Sequence, residues 1–371
     1  MIRLSQPIIS DEEINEVTKV LKSGMLVQGK YVEQFEKSLK QYIGADYTLA
    51  VSSGTAALHL ALAALDIKQG DAVFIPAFTF PATANVVEIQ RARPVLVDVE
   101  MDTYNICPDK LEESIKNWTG AEKPRAIIVV HEFGAPCNMK RIMGIAQKYN
   151  LYVIEDAACA LGTKFQEKHV GTFGDIGCFS WHPRKAITTG EGGALVTKDE
   201  KLYTRLKMLR NHGIHRDESG NIDFLLPGFN YRLTDFQAIL GDMQLKKFDQ
   251  WLKKREELIN VYIEELEDNH KISLPFNIEG HAWQTFMVVL PIDIHRKQIM
   301  EWMFEKKIET NLGAQAIHML QYYKEKYNFD ANTYPIAKRL YYNGLALPLH
   351  PALLKEEVHF ICNTFKKILK G

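Results

Sequence analysis

Ile14, Val17, Val20 and Leu21 recur at helical spacing after Ser10 and Glu13, a capping-box pair, and the run stops at Gly24. This predicts an amphipathic first helix, and a second follows near residues 31–42. The pattern then changes. Short β-branched runs at 47–51, 72–75, 95–99, 126–130 and 152–154 alternate with helical stretches, and most are apolar throughout. Strands of that kind are buried on both faces, which implies an α/β fold with a mostly parallel sheet between helices. Two more strand-like runs, 177–181 and 194–197, lie close together and predict a local hairpin-like excursion within that body. After a helix at about 202–210, residues 233–266 read as one long helical stretch without proline. The remainder mixes a short strand at 286–290 with helices at 296–306 and 355–369. With the boundary inside the long helix, the expected division is a large α/β domain over 1–245 and a smaller α+β domain over 246–371.

Composition narrows the function classes. The chain of 371 residues is 46% hydrophobic and 25% charged, as expected of a folded globular protein of about two domains. Lys and Arg number 45 against 46 Asp and Glu, and no basic tract stands out, so nucleic acid is not an expected partner. Five cysteines (Cys107, Cys137, Cys159, Cys178 and Cys362) with no C-x-x-C pair fit reduced thiols in the cytoplasm. Neither a secretory start nor a membrane-length apolar run is expected.

The candidate chemistry centres on Lys185, in the aromatic and glycine-rich stretch Phe179-Ser180-Trp181-His182-Pro183-Arg184-Lys185, followed by Gly190-Glu191-Gly192-Gly193. A semi-enclosed amine beside Arg184 is expected to have a lowered pKa and so to be a neutral nucleophile. Asp156 ends an apolar strand, where ligand sites of α/β proteins gather. Ser52-Ser53-Gly54-Thr55 opens a helix, and backbone N–H groups there bind phosphate. Ser180 adds a hydroxyl, and Phe80 lies past another strand end, placed to stack on a flat ring. Each has an ordinary reading as well: a surface lysine, a helix cap for Asp156, a plain capped helix, a core phenylalanine. Together they answer the four demands of pyridoxal phosphate: an amine for its aldehyde, a carboxylate for its ring nitrogen, a phosphate cradle and a stacking group. His182 reads either as pocket-facing or as packing beside Pro183. His212 and His215 lack the companions of a metal site, and Gly171, Gly174 and Gly177 read as turn glycines, so no metal is expected.

These motifs resemble the DegT/StrS sugar aminotransferases, which belong to the fold-type I pyridoxal phosphate enzymes. The resemblance spans nearly the whole chain and includes Phe229-Asn230-Tyr231-Arg232-Leu233 with Gln237-Ala238 and Gln244-Leu245. It implies a seven-stranded, mostly parallel sheet with a smaller C-terminal α+β domain. It also implies Lys185 as the Schiff-base lysine, Asp156 as the partner of the ring nitrogen, Thr55, Ala56 and Ser180 as phosphate ligands, and Phe80 as the stacking aromatic. Asn230 matches a residue that reaches the phosphate of a neighbouring subunit, which implies a homodimer with composite sites. The chain departs from the family's pattern at Cys159, where many members carry Gln or His near the cofactor's ring hydroxyl. It departs again at 312–318, where His318 alone remains of a two-histidine pattern and is the expected substrate contact there. The implied reaction moves an amino group from an amino acid, glutamate by resemblance, to a nucleotide-linked keto-sugar in amino-sugar or lipopolysaccharide synthesis. Two other readings are a sugar dehydratase, whose similar proteins carry His at the Lys185 position, and a non-catalytic regulator that would have lost principal residues.

Overall fold

In the computed structural model, which describes residues 1–217 and 219–370, seven strands form the central sheet. They are β1 (Tyr47–Val51), β2 (Asp71–Pro76), β3 (Arg93–Val97), β4 (Lys123–Val130), β5 (Tyr152–Asp156), β6 (Ile176–Ser180) and β7 (Gly193–Thr197). Their spatial order is β1-β7-β6-β5-β4-β2-β3. The β6-β5, β5-β4, β4-β2 and β2-β3 pairs are parallel, whereas β7 is antiparallel to both its neighbours. The two runs expected to form a hairpin-like pair within the body do pair antiparallel, as β6 and β7, and they are integral to the sheet because they also pair with β5 and β1. With β7 alone reversed, the C-terminal ends of the other six strands share one edge.

Helices α1 (Asp11–Ser23), α2 (Lys30–Ile43), α3 (Gly54–Ala64), α4 (Ala82–Ile89), α5 (Pro108–Lys116), α6 (Met139–Tyr149), α7 (Glu200–Arg210) and α8 (Asp235–Leu266) surround this sheet. The apolar strands explain why both faces are covered, since successive side chains point to opposite sides. Val73, Ile75, Ala126, Ile128 and Ile154 pack with α3, α4 and α7. Phe74, Ile127, Val129 and Val153 pack with α5 and α6, while Ala50, Phe179, Ala194 and Val196 join α2 and the first half of α8. The predicted capping box starts α1, and Gly24 ends it at φ 72°, the left-handed cap that favours glycine.

Beyond α8, β8 (Phe286–Val289) pairs antiparallel with β9 (Gly344–Leu347), flanked by α9 (Arg296–Glu305), α10 (Gln321–Tyr327), α11 (Pro335–Asn343) and α12 (Lys355–Lys370). A second core of Leu258, Tyr262, Phe286, Val288, Ile361 and Phe365 lies here. Packing along α8 thus changes partners between Phe248 and Leu258. A two-residue ribbon, Gln315–Ala316 against Phe78–Thr79, ties this part of the chain to the end of β2. Ala316, Ile317 and Leu340 enter the sheet core alongside it.

Candidate active site

The C-terminal edge of the sheet collects the chemistry. β1 leads through Ser52 and Ser53 into α3, β2 leads to Phe80, and β4 leads to Glu132. Asp156 ends β5, and Ser180 ends β6 just before the segment that carries Lys185. Register ties the end of β1 to Ser180, since Gly193 lies opposite both Val51 and Ser180.

A turn fixes Lys185. Its backbone N–H donates to the His182 carbonyl at 2.7 Å, and the His182 Nδ1 accepts the Arg184 N–H at 3.2 Å. Gln284 donates to the Arg184 carbonyl, and Gln244 holds Thr188 by bonds of 3.0 and 2.6 Å. The half-buried amine donates to Cys159 Sγ at 3.0 Å. Burial alone pushes the amine's pKa down, but Cys159, Asp156 and Glu132 outweigh it and the net direction is up. This corrects the expected lowering. Arg184 lies exposed, and the groups that act on the amine are acidic. The thiol itself is pushed up by burial, so a neutral sulfur accepts from an ammonium.

Asp156 is 5% exposed, with burial raising its pKa against hydrogen bonds from the Thr83 hydroxyl at 2.8 Å and the Ala158 N–H at 3.2 Å. No helix starts behind it, which removes the helix-cap reading. Glu132, also 5% exposed, is pushed up to about 8 by burial, with Lys185 drawing it down and Asp156 adding to the rise. The lysine thus faces Asp156 and Cys159 at and just past the end of β5 and Glu132 after β4, two segments that meet at this edge.

At the head of α3, the Ser53 side chain accepts the Ala56 N–H at 3.0 Å, and Thr55 is exposed. The first-turn N–H groups of a helix have no partner within it, so this end attracts anions. A Cβ on Gly54 would stand 2.8 Å from the Ser180 Cβ, so only glycine allows the helix end to close on that half-buried hydroxyl. Phe78 is fully buried, but Phe80 is 69% exposed, which answers the core reading of this ring. Asn230 is also exposed, its side-chain oxygen accepting from Arg232 Nε at 3.0 Å.

His318 departs from its expected place. It is completely buried beyond the ribbon, its ring edge-on to Tyr334 at 5.1 Å, so it offers no surface to a substrate. An apolar setting claimed it, as the neighbouring Ala316 and Ile317 foreshadow.

Residues 7–366 match the DegT/DnrJ/EryC1/StrS aminotransferase family. The chain belongs to that family. The GDP-perosamine synthase of Escherichia coli O157:H7 is 34% identical over 99% of this chain and 98% of its own length. A Campylobacter jejuni relative named UDP-4-amino-4,6-dideoxy-N-acetyl-beta-L-altrosamine transaminase is 35% identical, covering 100% of this chain and 98% of that protein. Among solved structures, Spr1654 of Streptococcus pneumoniae in its PLP form superimposes with a TM-score of 0.90 at 28% identity, covering 98% of this chain and 97% of that one. The cofactor of this DegT-family enzyme is pyridoxal phosphate.

Two residues of this DegT-family site escaped sequence reasoning. Thr83 lies on the first turn of α4, four residues after Thr79, and no periodicity marks a hydroxyl aimed at a distant carboxylate. Glu132 follows an apolar strand as closely as Asp156 does, so the signal used for one was present for the other.

Proposed function

We propose that the protein is a pyridoxal phosphate-dependent aminotransferase that moves an amino group from an amino acid, L-glutamate, to a nucleotide-linked keto-sugar. The observation that carries this reading is the meeting of a lysine amine and a buried aspartate at one sheet edge, beside a helix end closed by Ser180. That donor set fits the cofactor. Lys185 would take its aldehyde, Asp156 its ring nitrogen, Phe80 its face, and Gly54, Thr55, Ala56 and Ser180 its phosphate, with Cys159 beside the amine. The contact that only glycine permits at position 54 supports the phosphate placement. When bound, pyridoxal phosphate supplies an aldehyde that links to amines and a ring that accepts electrons as a substrate proton leaves.

The chain's own residues do the rest. Lys185 Nζ is a base and acid on a flexible stem, suited to take a proton from one substrate carbon and return it to another. Thr83 and Ala158 hold the Asp156 carboxyl in one orientation. His182, which holds the Lys185 turn through Nδ1, lies on the substrate side in this reading. The relatives' names carry GDP in one case and UDP in the other, so the shared feature is a nucleotide-linked amino sugar.

A homodimer with composite sites fits the exposure of Met25, Val27, Phe80, Phe224 and Leu225, each more than half exposed, and of Asn230. Among the described residues no helix is long and apolar enough to cross a membrane. Five free cysteines fit a reducing cytoplasm. The proposed domain division at 245/246 lies just before the stretch of α8, between Phe248 and Leu258, where its packing partners change. A role in lipopolysaccharide or other surface-polysaccharide synthesis follows from the sugar class.

The test has two parts. Purified protein given pyridoxal phosphate should show a visible absorbance band that borohydride abolishes, with the reduced cofactor on the peptide containing Lys185, and Lys185→Ala should show neither. With glutamate and a panel of UDP-, dTDP- and GDP-linked keto-sugars, mass spectrometry should find nitrogen in one sugar product. Loss of water from the sugar without nitrogen gain would overturn the reading.

A further inference from the structure

Arg255 sits on α8 where its packing passes from the first core to the second, and it is only 4% exposed. A buried guanidinium is normally paired, because its lost hydration must be replaced by a counter-charge or a full set of acceptors. Arg210, equally buried, obeys this rule: it donates to Glu36 at 2.6 Å and to the Ala50 carbonyl at 2.7 Å. Arg255 does not. Among the described residues it forms no ion pair, and its Nε and Nη1 have no hydrogen-bond partner. Burial lowers its pKa to about 10, which leaves it charged at neutral pH.

A cavity of about 20 Å³ opens at this side chain, between the N-terminal segment, the Lys185 turn and α8. That volume exceeds the roughly 10–15 Å³ that one water-sized occupant needs. Its walls include Gln6, Lys185, Thr188, Gln244, Trp251 and Arg255, and no aspartate or glutamate. Gln244 is committed to the Thr188 backbone on both sides of its amide. His350, within electrostatic reach of Arg255, is an imidazole whose pKa burial pushes down, so it is neutral and supplies no counter-charge. The cavity thus presents the Arg255 guanidinium and, among the described residues, no group that neutralises it. A water molecule would satisfy an N–H there but leave the charge unbalanced.

We propose that this cavity binds a small anion, the size of chloride or of a single carboxylate head, with Arg255 as its main partner and the Lys185 turn as one wall. The anion stabilises the fold by supplying the counter-charge that the described residues leave out, and it braces the turn from the cavity that Thr188 and Gln244 also line. Two sources share this chemistry: a free anion such as chloride or formate, and the carboxylate of the amino donor.

The experiment follows thermal unfolding of the holoenzyme at constant ionic strength, with a bulky sulfonate replaced stepwise by chloride, formate or L-glutamate. The expected result is a saturable rise in Tm of about 2 °C or more in at least one arm, with the responding arm identifying the source. Arg255→Met should flatten the response. Gln6→Glu, at an exposed position on the cavity wall, should supply an internal counter-charge, raising the starting Tm and shrinking the response. The proposal is overturned if no arm saturates, or if Gln6→Glu keeps the wild-type response.

Discussion

Glu155 and Asp156 are neighbours at the end of β5, both 5% exposed or less, yet their surroundings drive their carboxyls in opposite directions. Glu155 accepts from the Gly171, Phe173 and Gly174 N–H groups, each at 2.7 Å, and from His131 at 3.0 Å. Burial would raise its pKa, but these four partners win and the net direction is down. Asp156 has two donors and a nearby lysine, and burial wins. The lesson is that burial by itself does not decide protonation; the number of donors left for the anion does. Glu155 is finished by the fold, whereas Asp156 is left incomplete, with capacity for a further partner. A structural carboxylate and a candidate site carboxylate can therefore be told apart by their hydrogen bonds, even one residue apart.

The contrast predicts different failures. Glu155→Gln should cause the largest loss, about 3–5 kcal/mol, because the new amide points donors at donors and leaves His131 without its partner. The reading is a lowered urea midpoint in protein free of cofactor, and an unchanged midpoint would erase the contrast. Asp156→Asn should do the opposite, leaving the midpoint near wild type but lowering kcat by about 10²–10³-fold, or roughly 2.7–4 kcal/mol, in steady-state transamination. Thr83→Val removes one hydrogen bond to the buried carboxyl and should cost about 1.5–3 kcal/mol, measured the same way as Glu155→Gln.

The smallest effect is a slope. The Glu155 carboxyl is held below its ordinary value, so its stabilisation is full above the unfolded value near about 4.3 and fades as pH falls through the folded one. Glu132 behaves inversely: its folded value of about 8 lies above its unfolded value, so the folded chain holds the extra proton between them. Its contribution to stability therefore falls as pH rises across that window. Glu132→Gln should flatten the decline in Tm of the cofactor-free protein between pH 5 and 8, and an unaltered slope would remove Glu132 from the cluster.

Much of the site was legible because chemistry-bearing residues follow apolar strands, as Asp156, Phe80 and Ser180 do. The glycine-rich setting of Lys185 was legible for the same local reason. The sign of its pKa shift was not, since Cys159, Asp156 and Glu132 approach from other segments, while adjacent Arg184 lies exposed. Strand existence was readable from apolar runs, but direction was not, since periodicity is the same for a strand read either way; the reversal of β7 was foreshadowed only by the closeness of its run to that of β6, which suggested a hairpin-like pair. The Gln315–Ala316 ribbon is too short for any period to show. His318 was misplaced because a histidine in an apolar run carries no mark of which way its ring turns.

The contact between Gly54 and Ser180 has a consequence for sequence variation. The two positions share one allotment of space, so the residues tolerated at either depend on the occupant of the other. A scan of single substitutions should record position 54 as closed to every side chain. A pairwise library, sorted for cofactor retention, should recover alanine at 54 when 180 is glycine. Two distant codons would then be inherited as a unit, joined by a few tenths of a nanometre.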